Sequence, residues 1–369
     1  MRTVLILTLG LVGLNFLECQ STSGTDNAAR STKPTAPVNT TAATVRGQKM
    51  NVHGESLVLA KTDPGNLCFD NVVKGSIVIR TTYKADDPKC KVYKEGADYI
   101  VGYAKGTVAR TTNSGIPDFS ANMLYGQKNF DHNKFPGFGN HPFFVWVDYS
   151  TTNGTEWAKP NDQSQFMSKV RLKLEKGGPF KIVSYGDSIT AGGEASTPDL
   201  RFQAMYAKYL QKMFPKAKIE AENASISGYG SRQGIDWWDK YIGKTSPDLV
   251  LVGWGMNDHN KGNIEPEQFK KNLITLVGMI RDRKHAEAIL YSAFPPNNDW
   301  MHSTHRMDQY AKATKQAAAE TKCAYVNIFD SWKMVLERKD QPSLFGNNIN
   351  HPNDFGHWIY EQAFEAMKF

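Results

Sequence analysis

From Lys181 onward the chain alternates short β-prone runs with amphipathic stretches, and this alternation narrows the available folds more than any other feature. The runs are Lys181–Tyr185, Lys218–Ala224, Asp248–Trp254, Ala288–Phe294 and Ala324–Phe329. Segments of helical period lie between them, near Arg201–Phe214, Gly234–Tyr241, Pro266–Arg283 and His302–Thr321, and two more follow near Ser331–Arg338 and Phe355–Met367. Strands separated by helices cannot pair as hairpins, so the pattern predicts a five-stranded, mostly parallel sheet covered by helices on both faces. In the first helix Phe202, Met205, Tyr206, Tyr209, Leu210 and Met213 form an apolar stripe, which is core. Pro215, Pro247 and Pro295 fall at element ends, where a residue without an N–H belongs.

The first half has a different texture. Ser56–Ala60, Ser76–Arg80, Tyr99–Tyr103, Phe143–Val147 and Lys169–Leu174 read as short strands separated by turn-rich segments, several with clean alternation. A smaller β-sandwich-like domain is expected over 49–178, with Lys176-Gly177-Gly178-Pro179 as the boundary to an α/β domain at 179–369. The stretch Gly115–Gly139 is rich in glycine and aromatics; filling the core beneath a long loop explains it better than stacking on sugars. Residues 20–48 carry almost no large apolar side chain, so they are expected to form a disordered linker. Before them, Arg2 precedes an apolar run from Val4 to Leu17 that suits a cleaved signal peptide at 1–19, hence a secreted or periplasmic protein. Lipid attachment at Cys19 is disfavoured by Glu18. No later stretch is apolar enough for a membrane helix.

In an oxidising compartment Cys68 and Cys90 are candidates for one disulfide, while Cys323 reads as a buried thiol. Asn39, Asn153 and Asn223 head Asn-X-Ser/Thr triplets. The formal charge of +7 is dispersed with no basic block, which argues against a nucleic-acid partner. No feature singles out an oligomeric state.

Four corners of the expected sheet carry polar chemistry. The first strand ends in Gly186-Asp187-Ser188, placing a hydroxyl at the carboxyl edge, where open α/β sheets bind ligands. The N–H groups that open the expected following helix point free there. After the second strand comes Gly228-Tyr229-Gly230, and after the third Trp254-Gly255-Met256-Asn257-Asp258. A loop before the last helix carries Asn348-Ile349-Asn350-His351-Pro352. In this order the four blocks resemble the SGNH (GDSL-type) hydrolase family over roughly 180–369, with the β-rich region outside the match.

That resemblance implies a flavodoxin-like α/β/α sandwich and an esterase or deacylase with no metal or organic cofactor. It implies Ser188 as nucleophile, His351 as general base and acid, and an oxyanion hole from the N–H groups of Ser188 and Gly228 with the Asn257 amide. The family's usual aspartate three residues before the histidine is Asn348 here. An amide oxygen can orient an imidazole but cannot balance its charge. Three readings stay open: Asn348 as orienter of a slow enzyme or Ser–His dyad, Asp354 in its place, or a glycan-binding protein that does not turn over. Tyr229 and Trp254 adjoin the site loops and are candidate substrate contacts. Asp187 reads as a brace for its loop, His259 as a solvent-exposed histidine, and Trp358 as packing for the last helix. His302 and His305 lack a third metal ligand. An acylated carbohydrate is the expected substrate by analogy, with lipid or small esters as the in-class alternative.

Overall fold

The computed structural model describes residues 47–260, 262 and 264–368. The expected signal peptide and nearly all of the expected linker lie outside the described residues. Six strands come first: β1 (Gln48–Leu57), β2 (Gly65–Asn66), β3 (Val78–Arg80), β4 (Tyr99–Gly102), β5 (Thr107–Arg110) and β6 (Val145–Gly154). They make two antiparallel sheets, β1-β6-β3 and β2-β5-β4. Then β7 (Asn161–Asp162) leads into α1 (Ser164–Lys176).

Helix α1 corrects the strand expected at Lys169–Leu174. Alternation there fits both periods, but Met167, Val170 and Leu174 are the buried residues while Leu172 is 65% exposed. Spacing of three and four residues is a helical stripe, and Arg171 and Glu175 pair one turn apart on the wet face.

The remaining elements are β8 (Gly178–Gly186), α2 (Phe202–Met213), β9 (Ala217–Asn223), α3 (Ser231–Asp236), α4 (Trp238–Tyr241), β10 (Leu249–Gly253), α5 (Met256–Asn260), α6 (Pro266–Lys284), β11 (Glu287–Tyr291), α7 (Met307–Thr321), β12 (Ala324–Val326), α8 (Ile328–Leu336), α9 (Asp354–Glu365) and β13 (Met367–Lys368). Five of the strands form a parallel sheet in the order β12-β11-β10-β8-β9. With the strands numbered along the chain this is the 2-1-3-4-5 order of flavodoxin-like sheets, whose switch point lies between the carboxyl ends of β8 and β10. Close approach there demands glycine. A Cβ on Gly186 would meet Gly253 O at 2.1 Å, and one on Gly253 would meet the Tyr291 ring at 2.0 Å.

One core cluster runs from β1 and β6 through the parallel sheet to α9. A satellite cluster of Leu124, Phe130, Trp300 and Ile349 lies under the long aromatic loop, which is the packing role expected for it. A buried ion pair joins the first strand to the segment after α8: Lys339 Nζ lies 2.7 Å from Glu55 Oε1, both side chains being 0% exposed. The Glu55 carboxylate also accepts the Cys68 N–H and the Tyr149 hydroxyl. Burial draws the Lys339 ammonium down more than any other single influence, but the charge and hydrogen bond of Glu55, with Cys68 and Asp340, together outweigh it and leave Lys339 above its usual range.

Cys68, Cys90 and Cys323 are all free, so the disulfide expected between Cys68 and Cys90 is absent. Cys68 is buried against the Glu55–Lys339 pair, and burial together with the Glu55 charge pushes its thiol well up. Cys90 belongs to a separate turn closed by its N–H on Asp87 O.

Candidate active site

Strand β8 delivers Asp187 and Ser188 to the switch point. Asp187 N–H is held by Gly253 O at 3.2 Å, and its buried carboxylate accepts the amides of Ile189, Thr190 and Met256. Burial, and secondarily the charge of Asp258, pushes this carboxyl up to about 7, against those donors. It therefore braces the Ser188 turn and ties it to the start of α5. Thr190 adds a second brace, its hydroxyl lying 2.6 Å from the Tyr291 hydroxyl. The helix expected soon after Ser188 does not form there. Residues 187–194 are successive turns, with Ala191 N–H on Asp187 O and Gly193 N–H on Ser188 O, and α2 starts only at Phe202. Ser188 thus sits on a turn rather than at a helix N-terminus.

His351 arrives on a loop built around one side chain. Asn347 Oδ1 accepts the amides of Ile349, Asn350 and His351 at 3.1, 3.0 and 2.9 Å. Gly346 N–H bonds back to His351 O at 2.9 Å, and Asn353 caps α9 through Gly356 N–H. So held, His351 Nε2 lies 2.8 Å from Ser188 Oγ, two groups 163 residues apart in the chain.

The group facing the other imidazole nitrogen is not Asn348. Glu194 Oε1 lies 3.8 Å from His351 Nδ1, while Glu194 Oε2 lies 2.7 Å from His141 Nε2. The short bond to His141 first, and then the nearby His351 and the charges of both imidazoles, hold the Glu194 carboxyl low, at about 2. His141 is correspondingly raised, chiefly by its bond to Glu194. Asn348 is 2% exposed in a left-handed conformation at φ 55°, which asparagine tolerates. Its carbonyl accepts from Asn297 Nδ2, and its Oδ1 has no hydrogen-bond partner among the described residues. It shapes the loop rather than orienting the ring. Asp354, the other expected alternative, accepts Ser196 N–H at 2.7 Å and pins the turn that carries Glu194. Sequence reasoning missed both Glu194 and His141. The available signal was Glu194 itself, a lone carboxylate six residues past Ser188 behind Gly192-Gly193.

Gly228 has φ +82°, a conformation that favours glycine, with nothing within 4 Å of where a Cβ would sit. Among the described residues, the amides of Ser188 and Gly228 make no hydrogen bond. Asn257 Nδ2 donates to Tyr229 O at 2.8 Å, joining the second and third blocks and leaving one amide hydrogen for another acceptor. Tyr229 is 41% exposed, edge-on to Trp237, at the site. Trp254 is not at the surface. It is 1% exposed and packed edge-on against Tyr185, because Gly234 leaves room for its ring. His259, expected in solvent, is likewise buried, and burial lowers it to about 4. Trp300 belongs to the satellite cluster, and Trp358 packs on Trp157 and Phe355 at the last helix. Among the described residues no group of three or more His, Cys, Asp or Glu side chains is placed to hold a metal ion, and His302 and His305 gain no third ligand.

A cleft of about 400 Å³ lies along the loop that carries His351 and is distinct from the Ser188 hydroxyl. Tyr125, Asp63, Asp299, Asp340, Gln341 and Asn348 are among its lining residues. No helix among the described residues is long and apolar enough to cross a membrane.

Residues 184–359 match the GDSL-like Lipase/Acylhydrolase family. An acetylxylan esterase from Geobacillus stearothermophilus is 26% identical over 208 residues, covering 52% of this chain and 94% of that protein. An arylesterase from Vibrio mimicus is 28% identical over 138 residues, covering 36% of this chain and 64% of that protein. Among solved structures, a two-domain esterase active on acetylated mannans is similar at 21% identity with a TM-score of 0.46, over 54% of this chain and 51% of that one. The chain therefore spans about half the length of that two-domain protein and less than two thirds of the arylesterase. With the Ser188 turn, the Gly228 corner, Asn257 and the His351 loop each in its block, the C-terminal part of the chain, at residues 184–359, is a GDSL-like lipase/acylhydrolase domain of the SGNH type, a family of carboxylic ester hydrolases.

Proposed function

We propose that the protein is a serine esterase that removes a short acyl group, acetyl by analogy with its relatives, from a carbohydrate. The observation that carries the mechanism is the 2.8 Å contact between His351 Nε2 and Ser188 Oγ. In this reading His351 takes the Ser188 proton as Oγ attacks the acyl carbonyl. The tetrahedral oxyanion is held by the Ser188 and Gly228 amides and the Asn257 side chain. On collapse the ester C–O bond breaks and His351 returns the proton to the departing alcohol. Water, deprotonated by His351, then attacks the acyl-enzyme and frees the carboxylic acid and Ser188. Glu194 takes the place foreseen for Asn348, stabilising the imidazolium with a full charge.

The carbohydrate half of the proposal draws on the acetylxylan esterase likeness and on the cleft beside the histidine loop. Asp63, Asp340 and an Asp299 paired with Lys128 line it with acceptors and a donor, which match sugar hydroxyls. Acetate release from acetylated xylan and mannan, beside a small aryl ester, tests the reading. Wild type is expected to release acetate and to label with a fluorophosphonate, and Ser188→Ala to lose about 10⁶-fold in turnover with no label. A wild type that neither labels nor releases acid would overturn it.

The reading extends to export through a signal peptide at 1–19, a linker at 20–48, and an accessory module at 49–178. The mature N-terminus of protein recovered from the medium or periplasm is expected just after residue 19. An N-terminus still at Met1 would remove that part.

A further inference from the structure

We propose that His141, supplied from outside the residues that match the hydrolase family, is a positioning residue for this reaction. Its role is to clamp Glu194 so that the carboxylate faces His351. The inference rests on the Ser188–His351 mechanism above and adds a component to it.

Glu194 is poorly placed to hold itself. It follows Gly192 and Gly193, both of positive φ, in a run of turns, and it is 3.8 Å from the His351 nitrogen it serves. That is beyond hydrogen-bond length, so small side-chain drift decides whether the contact closes. Its short bond is to His141 at 2.7 Å. If His141 Nε2–H donates to Oε2, the carboxylate is fixed in orientation and Oε1 remains for His351.

His141 is itself firmly anchored. It opens a 3₁₀ turn, His141–Phe143, preceded by Asn140, which is 0% exposed. Asn140 N–H donates to Gly346 O at 2.7 Å, and its side-chain amide donates to Pro342 O and Phe345 O at 3.0 and 2.9 Å. The His141 ring is edge-on to Phe144. Gly346 is where the three segments converge. A Cβ there would sit 2.3 Å from Glu194 Cβ and 2.9 Å from His141 Nε2, and the Gly346 N–H is bonded to the carbonyl of His351. The charged groups acting on His141 are Glu194 and the buried Asp354, both favouring its protonated form.

Three substitutions in the full chain test the clamp. His141→Ala is expected to lower kcat about 10- to 100-fold, the scale of a small misplacement of catalytic groups, with KM within about twofold. His141→Gln keeps a donor near the Nε2 position and is expected to recover most of the rate, without the titration of the imidazole. In Glu194→Gln, NMR titration of the His141 ring is expected to show its pKa falling towards that of a free histidine. Wild-type kcat in folded His141→Ala overturns the proposal, as does His141→Gln failing as badly as His141→Ala. Should wild type prove inactive, the esterase reading falls on its own. The NMR titration still decides the clamp: an unmoved His141 in Glu194→Gln shows that the two groups are not joined.

Discussion

Two glutamates join the N-terminal strands and turns to the 339–351 segment, and they do so in opposite ways. Glu55 is sealed: at 0% exposure it is bound by Lys339 Nζ, the Cys68 N–H and the Tyr149 hydroxyl, so its oxygens are fully engaged. Glu194 is open: it is 30% exposed, bridges two histidines, and reaches one of them only at 3.8 Å. A sealed carboxylate holds the fold together and cannot respond to anything. An open one contributes little to stability but can support a charge that appears on its neighbour during a reaction. The same residue type is thus divided between architecture and chemistry by water access and by whether its partner can change charge.

The sharpest way to break this contrast is to neutralise each carboxylate in turn. Glu55→Gln strands the Lys339 ammonium in the core and is expected to cost about 3–5 kcal/mol, or roughly 10 °C in Tm, with turnover per folded molecule unchanged. Glu194→Gln is expected to do the reverse, lowering kcat about 10²-fold, equivalent to about 2.7 kcal/mol of barrier, with little change in Tm. A large Tm loss in Glu194→Gln, or a large rate loss in Glu55→Gln at full folding, would erase the distinction.

A smaller effect sharpens it. The depressed Glu194 carboxyl contributes stability above its ordinary value of about 4.3, lost as pH falls towards about 2. The raised His141 contributes below its ordinary value of about 6.5, lost as pH rises through the folded-state value. The two overlap between about pH 4.3 and 6.5. Because the pair is partly exposed, its contribution is at most about 1 kcal/mol. Tm of wild type minus Tm of Glu194→Gln should therefore peak within that window, at no more than about 3 °C, and shrink on both sides. A difference that does not vary with pH would show that Glu194 acts through packing instead.

The succession of strands and helices and the four polar corners were legible because they depend on period and on strand ends, which a linear chain displays. Ser188 and His351 were read from their blocks, and the structure brings them into contact across the sheet edge. What escaped the sequence was side-chain direction. Lys169–Leu174 alternates in a way that serves a strand or a helix, and only burial of Met167, Val170 and Leu174 decides it. Trp254 sits beside the site in sequence, yet the space left by Gly234 turns it inward. Asn348 holds the family's position, but its backbone is left-handed, its carbonyl is taken by Asn297, and its side-chain oxygen makes no hydrogen bond to the imidazole. Glu194 and His141 could not be paired by spacing, since they lie 53 residues apart on turns without a period.

The Asn347-centred loop has a consequence for how the site is assembled. Its three amide bonds fix the backbone of residues 349–351 from within, and the bond from Gly346 N–H to His351 O closes the loop on itself. In the proposed mechanism, a Ser188 hydroxyl without that loop in place has no base. Under the proposed mechanism, hydrolytic competence therefore requires the Ser188 turn to meet a loop 163 residues further along the chain.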